Sequence, residues 1–299
     1  MLGRLPQALL LLGVCALIGW PRGARAWGDE GHAIVALIAE HYLAPHARAQ
    51  VRALLEGDHS GLVTDRSIAS ESVWADRYRD SDRDTTRVRY EATRQWHYID
   101  IEIDSPEVGR ACFGHPTIAA GVAASAGPAQ DCVADKIDQF EAELKDPHTP
   151  IDERRLALQF LLHFVGDLHQ PLHASDERDQ GGNLEQVQAA GLPPANLHRY
   201  WDVEFVEGLG SDPRRVAAEL IARIDAADIQ DWEKGTTSDW ALESYAVGKA
   251  VAYGRLPAPI TKHHYVLPAD YVQSALSAVD LQLRRAGVRL AWVLNRSLS

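Results

Sequence analysis

The 299-residue sequence has little cysteine, a deficit of basic side chains and no internal repeats or long linkers. Three cysteines are too few for a four-cysteine zinc site. Thirty Lys and Arg stand against 42 Asp and Glu, so no global positive field exists to attract duplex nucleic acid. An anionic substrate would need another local source of positive charge. The missing repeats and linkers predict one domain, and 46% hydrophobic residues can fill its core.

Long apolar runs are also missing, except near the N-terminus. Arg4 precedes an apolar stretch over residues 8–20, and Ala24-Arg25-Ala26 follows it. This is the pattern of a secretory signal peptide, and we predict cleavage after Ala26 and a secreted or periplasmic protein without stable membrane insertion. A lipoprotein signal centred on Cys15 is disfavoured, because Val14 stands where a small residue is expected. Residues 27–299 then form the mature domain, with 27 basic and 42 acidic side chains and a net charge of −15.

Cys112 and Cys132 are the only cysteines after residue 26. In an exported protein an isolated pair predicts a disulfide, which would contribute about 3 kcal/mol by closing its loop. Two free buried thiols are the alternative.

The secondary structure is predicted to be helical, and the fold class all-α. Apolar residues recur at three- and four-residue spacing in most of the chain. The predicted helices cover residues 29–44, 45–56, 64–80, 130–145, 151–170, 197–207, 212–228, 238–253 and 268–295. The alternating segment QWHYIDIEI (95–103) could be extended, although no partner strand is obvious.

Two histidine–aspartate pairs occur at a spacing that suits metal binding. His163 and Asp167 are four residues apart on one predicted helix, and His198 and Asp202 repeat this spacing on another. Side chains at i and i+4 project from the same face, so each pair can bind one zinc ion. A solvated surface pair is the alternative for either one alone, but two such pairs beside His173 favour a metal centre.

Three further candidates lie upstream, and one histidine is set aside. His32 follows closely after the predicted new N-terminus, Asp76 lies in a helical stretch, and His97 lies in WHYID. Alone, Asp76 could be an exposed helix charge and His97 a partner of a backbone carbonyl. His169 comes six residues after His163 and therefore falls on a different helical face.

The motifs occur in a recognisable order: WGDEGH, SVWAD, WHYID, HFVGDLHQPLH, DQGGN, NLHRYWD and WALES. This order resembles that of the zinc-dependent single-strand-specific nucleases and 3′-nucleotidases, which share a helical fold with zinc-dependent phospholipase C. The matches run from Trp27 to residue 244 and thus cover most of the predicted mature chain.

The resemblance implies a cluster of three zinc ions. The implied ligands are Asp76, His97, His163 and Asp167 for the first ion; the α-amine and carbonyl of Trp27, His32 and Asp167 for the second; and His173, His198 and Asp202 for the third. In this set the five imidazoles and the amine are neutral, and only the three carboxylates offset the charge of the three zinc ions. The net charge is +3, which is the local positive charge that the acidic chain lacks. A hydroxide bridging two zinc ions would attack phosphorus, and the third ion would stabilise the leaving 3′ oxygen.

The resemblance also implies residues that contact the substrate. Asp76 and Asp167 are implied to be catalytic, and so is Arg79, which would neutralise charge on phosphorus. Tyr98 and Asp100 would bind a base, and Asn183 a base or a phosphate. The alternatives are a solvated helix charge for Arg79 and a purely architectural role for Asn183. The expected substrates are single-stranded DNA and RNA, cut to 5′-phosphates, and 3′-nucleotides, with no obligate protein partner.

Two other functions are kept as alternatives. A zinc-dependent phospholipase C would use a similar metal site, but the N-terminal Trp of that branch precedes its histidine by a longer interval, and its last pair ends in glutamate rather than in a residue like Asp202. A zinc-storage protein would share the ligands without needing WHYID, the GGN loop or an open coordination position.

Overall fold

Helices form most of the structure, which confirms the all-α prediction. The computed structural model describes residues 27–299, so the predicted signal peptide lies outside the described residues. The α-helices are α1 (Gly28–Tyr42), α2 (Pro45–Leu55), α3 (Ile68–Glu71), α4 (Trp74–Asp80), α5 (Val88–Thr93), α6 (Val108–Ala111), α7 (Val133–Lys145), α8 (Ile151–Leu168), α9 (Leu197–Arg199), α10 (Phe205–Glu207), α11 (Pro213–Ile221), α12 (Ala226–Trp232), α13 (Thr237–Val247) and α14 (Ala269–Ser297).

Short segments of other kinds connect these helices. Residues Arg94–His97, Ala124–Ala126 and Pro171–His173 form 3-10 turns, and π-helical segments at Tyr200–Glu204 and Gly248–Tyr253 continue α9 and α13. A small sheet that the periodicity did not predict joins β1 (Gln186–Ala189), β2 (Ala195–Asn196) and β3 (His264–Leu267). β1 is the central strand; it pairs antiparallel with β2 and parallel with β3.

α8 is the central helix of the fold. Every residue from Ala157 to Leu168 is buried, and α1, α4, α7 and α14 pack around the helix. Such a helix carries its polar residues into the interior as well, and buried polar groups need partners. His163 and Asp167 are therefore delivered to the centre of the molecule.

The predicted helix 64–80 is wrong as a single element. The structure divides it into α3 and α4, with a non-helical conformation at Val73. The carbonyl oxygen of Ser72 accepts a hydrogen bond from Nδ1 of His163 at 2.7 Å. This break therefore supplies the acceptor that orients a buried histidine on α8, and it places Asp76 at the start of α4.

The predicted helix 212–228 is also interrupted. α11 ends at Ile221 and α12 begins at Ala226, because the carboxylate of Asp225 accepts hydrogen bonds from the N–H groups of Ala227 and Asp228 and caps a new helix.

The segment 95–103 is extended only in its second half. After the turn Arg94–His97, Ile99 donates to the carbonyl of His173 at 2.7 Å, and Ile101 and Ile103 exchange hydrogen bonds with the backbone of Asp176. These bonds tie WHYID to the chain that follows α8, so His97 and His173 are held side by side.

A disulfide joins Cys112, after α6, to Cys132, at the start of α7. Both cysteines are buried. Among residues 27–299, no helix combines the length and apolar character that crossing a membrane requires.

Candidate metal centre

The first group of side chains that could hold a metal ion lies between α1 and α8. Nε2 of His32 is 3.3 Å from Oδ1 of Asp167, and Nε2 of His163 is 3.3 Å from Oδ2 of the same carboxylate. The two imidazole rings stack with centroids 3.8 Å apart. Gly166 makes this approach possible, because a Cβ there would lie 2.9 Å from Nδ1 of His32. Asp167 is thus placed between two histidines from different helices.

The second group shares His163 and Asp167 with the first. Nδ1 of His97 lies 3.0 Å from Oδ2 of Asp167 and 3.6 Å from Oδ1 of Asp76. Nε2 of His163 lies 3.5 Å from Oδ1 of Asp76. All four side chains are buried. The two groups therefore form one continuous cluster, and Asp167 is its shared carboxylate.

The third group lies beside this cluster. Nε2 of His173 is 3.1 Å from Nε2 of His198, which is 3.4 Å from Oδ2 of Asp202. Nδ1 of His173 donates to the carbonyl of His97, and Nδ1 of His198 donates to the carbonyl of Gly181. Because both protons are on Nδ1, the two Nε2 lone pairs face each other, an arrangement that needs a cation between them.

Burial and charge give these groups unequal pKa values. Burial lowers the pKa of His97 and of His198 to about 4 and that of His173 to about 3, so their imidazoles are neutral near pH 7. Burial also opposes the charged form of His163, but the carboxylates of Asp167 and Asp76 outweigh it and raise its pKa to about 10. The two carboxylates therefore favour a positive charge at this position.

The donor geometry fits metal ions. Among the described residues, the buried side-chain atoms without a hydrogen-bond partner include Nε2 of His32, Nε2 of His163, Oδ1 of Asp167 and Oδ2 of Asp202. Leaving such atoms unpaired costs about 1–3 kcal/mol each. The ligand atoms lie 3.0–3.6 Å apart, and two ligand atoms of a tetrahedral zinc ion are about 3.3–3.4 Å apart. Cys112, Cys132 and Asp135 also lie close together, but the disulfide consumes both sulfurs.

Trp27 lies directly before α1 and is fully buried. Its indole N–H donates to the carbonyl of Gly166 at 2.8 Å, which fixes this residue against α8. A side chain at Gly31 would collide with the Cβ of Trp27. The structure thus brings residue 27 to the cluster. Its α-amine would exist only after the predicted cleavage, and the segment that would be removed lies outside the described residues.

Above the cluster is an open pocket of about 540 Å³, with His97, His173 and His198 in its lining. Arg79 also lines it; its side chain is only 8% exposed and ion-paired with Asp76 at 2.7 Å, so it is not a solvated helix charge. The carboxylates of Asp76 and Asp80 outweigh burial and raise the pKa of Arg79. The pocket thus offers a permanent cation beside the metal-binding groups.

The predicted substrate-binding residues line the same pocket. Tyr98, Asp100 and Asn183 are half-buried there. Burial, with Asp176 and Glu102 nearby, raises the pKa of Asp100 to about 8, so its carboxyl can donate a hydrogen bond at neutral pH. The Asn183 amide is engaged in its own loop, donating to the carbonyl of Gln180 and accepting from Asn196.

One functional contact was missed by the sequence reasoning. The side-chain amide of Gln170 donates to Oδ1 of Asp202 at 2.7 Å and accepts from the N–H of Leu172. It therefore leaves Oδ2 of Asp202 as the atom that faces His198. Gln170 lies inside the HQPLH motif, which is the signal that could have identified it.

Comparison with known proteins identifies the family of the chain. The family model for S1/P1 nuclease matches residues 27–299, the whole of the described chain. The chain belongs to the S1/P1 nuclease family. The resemblance inferred from the ordered motifs is therefore confirmed.

Curated relatives within this family cover nearly the whole chain. Nuclease P1 of Penicillium citrinum is 29% identical over 285 residues, 89% of this chain and 96% of its own length. Endonuclease 2 of Arabidopsis thaliana is 31% identical over 287 residues, 90% of each chain. Nuclease S1 of Aspergillus oryzae is 28% identical over 286 residues, 89% of each chain.

Proposed function

We propose that this protein is a zinc-dependent nuclease and 3′-nucleotidase that hydrolyses single-stranded DNA and RNA to 5′-phosphorylated products. Membership of the S1/P1 nuclease family supports a hydrolase that acts on nucleic acids. The observation that carries the finer proposal is the set of three adjoining groups of buried histidine and aspartate side chains beneath an open pocket.

Each of the three groups would bind one zinc ion. Asp76, His97, His163 and Asp167 bind the first; Trp27, His32 and Asp167 the second; and His173, His198 and Asp202 the third. Zinc, when bound, supplies positive charge that polarises a phosphodiester and acidifies water. The hydrogen bonds from Nδ1 of His163, His173 and His198 to backbone carbonyls fix the tautomer in which Nε2 is the donor to metal.

The chain's own residues orient the substrate around these ions. Arg79 is held by Asp76 and Asp80, with its guanidinium at the pocket wall, where it neutralises charge that develops on the scissile phosphate. The Tyr98 ring stacks on a base, and Asp100 or Asn183 contacts its polar edge. A flexible single strand can present a base and a phosphate to a recessed floor together, whereas a duplex cannot do so without unpairing.

Export is part of the proposal. Cleavage after Ala26 would place the protein in the periplasm or outside the cell and create the α-amine of Trp27. An α-amine has a pKa of about 7.7–8 and must lose its proton to bind metal. A preparation that retains one residue before Trp27 is expected to lose one zinc ion and most of its activity; full activity with a blocked N-terminus would contradict this role.

The proposed function is tested by measuring acid-soluble nucleotides released from denatured and duplex DNA, with and without a chelator. We expect release from the denatured DNA, strong discrimination against the duplex and loss of activity with the chelator. The same preparation is assayed on RNA, 3′-nucleotides and phosphatidylcholine. Cleavage of phosphatidylcholine alone would identify a phospholipase C, and zinc binding without any hydrolysis would identify a storage protein.

A further inference from the structure

The pocket above the metal centre is larger than one phosphate requires. Its volume of about 540 Å³ lies within the range of sites that enclose drug-sized ligands, about 300–1,000 Å³. Beyond the ligand histidines and Arg79, one of its walls includes Arg83, Tyr90 and Arg94. These three residues belong to the loop between α4 and α5, to α5 and to the turn that follows.

This wall belongs to a segment whose charge is opposite to that of the rest of the chain. Residues 77–94 contain six arginines and four acidic residues, a net charge of +2, whereas residues 27–299 together carry −15. Three of these arginines line the pocket: Arg79, Arg83 and Arg94. The positive charge of the segment is therefore directed in part toward the site where a polyanion would bind.

The wall is held in place by local contacts. The carboxylate of Asp82 accepts hydrogen bonds from the N–H groups of Arg89 and Tyr90 and from the Thr86 hydroxyl, which ties the loop to the start of α5. The Arg83 and Arg87 guanidiniums lie over the Tyr90 ring, 5.0 and 4.7 Å from its centroid. The Arg83 guanidinium is therefore positioned before any substrate binds.

The two outer arginines are only lightly neutralised by acidic neighbours. The nearest carboxylate paired with Arg83 is that of Asp80, at 3.9 Å, and Asp80 also pairs with Arg79. Arg94 contacts Glu91 at 3.1 Å, and Glu91 also pairs with Arg87. Exposed pairs of this kind are worth little, about 0–1 kcal/mol, so an incoming phosphate can compete for both arginines.

We propose that Arg83 and Arg94 form a subsite for the phosphodiester groups that flank the scissile one in a single strand, with Tyr90 as the residue that positions Arg83. This inference rests on the proposed function and adds to it how the enzyme engages a strand longer than two nucleotides. Cleavage of long strands then depends on ionic contacts that a dinucleotide cannot make.

The test compares the wild type with the double variant Arg83→Gln/Arg94→Gln on two substrates. A ten-nucleotide single-stranded DNA has flanking phosphates, whereas a dinucleoside monophosphate has only the scissile one. We expect kcat/KM for the ten-nucleotide strand to fall about tenfold more than kcat/KM for the dinucleotide. The slope of log kcat/KM against log salt for the strand should become shallower by about 1.4, or 0.7 for each lost phosphate contact.

A matched control removes the same charge elsewhere. Arg52→Gln/Arg215→Gln replaces two exposed arginines on α2 and α11, outside this pocket, and should leave both kcat/KM values and the salt slope unchanged. Metal content and Tm are measured for each protein, so that a folding defect is recognised. Equal losses on both substrates, or an unchanged salt slope, would overturn the subsite. A wild type that cleaves neither substrate would refute the proposed function itself, and the subsite with it.

Tyr90 gives a second readout. Tyr90→Phe keeps the ring beneath Arg83 and should retain the salt slope of the wild type, whereas Tyr90→Leu should make it shallower by about 0.7, as expected for one phosphate contact. A slope in Tyr90→Leu equal to that of the wild type would contradict the positioning role.

Discussion

His163 and His169 are two fully buried histidines near the end of α8, yet the surroundings of their Nε2 atoms differ. His163 donates from Nδ1 to a backbone carbonyl, and its Nε2 has two carboxylates within 3.5 Å and no hydrogen-bond partner in the described structure. His169 also donates from Nδ1 to a carbonyl, but its Nε2 accepts a hydrogen bond from Arg289 at 2.9 Å.

The two environments have opposite electrostatic character. The carboxylates of Asp167 and Asp76 overcome burial and raise the pKa of His163 to about 10, whereas burial and the Arg289 guanidinium hold the pKa of His169 well below its usual value. The Arg289 guanidinium is in turn fixed by Glu243 at 2.8 Å. The groups around His163 thus need a cation to balance them, whereas the groups around His169 form a complete hydrogen-bond network. Of these two buried histidines, only His163 has a ring nitrogen without a hydrogen-bond partner that could bind a cation.

The largest effect is expected from Asp167→Asn, which removes the carboxylate shared by the first two groups. We expect loss of two zinc ions per chain and a fall in nuclease activity greater than the 10–100-fold cost of losing an outer contact. Metal analysis and kcat/KM on denatured DNA measure both. His169→Gln, at the same helix end, is the control. Full zinc content in Asp167→Asn would contradict the proposal that the His163 side of α8 binds metal and the His169 side does not.

Arg79 and Arg289 extend the comparison to two buried arginines. Arg79→Met should lower kcat by about 10²–10³-fold, the cost of removing one donor that stabilises transition-state charge, with a smaller effect on KM. Arg289→Met should lower Tm while leaving kcat near that of the wild type, because Arg289 contacts His169 and Glu243 instead of the pocket. Similar losses of kcat in both variants would show that Arg79 acts only through folding.

Gln170 tests the third metal-binding group separately. In Gln170→Leu, Oδ1 of Asp202 loses its donor, and we expect a 10–100-fold weaker affinity for one zinc ion while the other two are retained. Zinc content after dialysis against graded chelator concentrations measures this. Gln282→Leu, which removes a buried amide bonded to the His169 carbonyl and to Ser244, is the matched control. Loss of all three ions together would contradict an independent third group.

The smallest effect on activity is expected from His169→Gln. The amide cannot keep both the bond to the Val165 carbonyl and the bond from Arg289 in the geometry of the imidazole ring, which should lower the free energy of unfolding by about 1–3 kcal/mol, while zinc content and kcat stay near those of the wild type. Chemical denaturation and metal analysis measure these quantities. Loss of one zinc ion in this variant would place His169 on the metal-binding side.

Local periodicity predicted most of this fold. What it missed came from long-range contacts and, between α11 and α12, from the local cap at Asp225. The apolar spacing of α1, α2, α7, α8 and α14 was sufficient to predict their extents within a few residues. At the break between α3 and α4, the Ser72 carbonyl accepts a hydrogen bond from His163, which lies on a different helix. β1 pairs with β3, which is distant in the sequence, so local periodicity cannot indicate the partner of either strand.

The same distinction applies to the site. The i, i+4 spacing placed His163 with Asp167 and His198 with Asp202, because helix geometry fixes such pairs. The contact between Gln170 and Asp202 joins residues from separate turns, and only tertiary structure brings them together. Arg83 and Arg94 belong to none of the sequence motifs, so their proposed role could be inferred only from the pocket that they line.

The most direct test of the central claim is anomalous X-ray scattering at the zinc edge from crystals of the chain that begins at Trp27. The account predicts three peaks, each about 2.0–2.2 Å from its oxygen and nitrogen ligands, with Asp167 between the first two and His169 bound to none. A fully active protein that shows no peak at these groups, or a peak at His169, would contradict it.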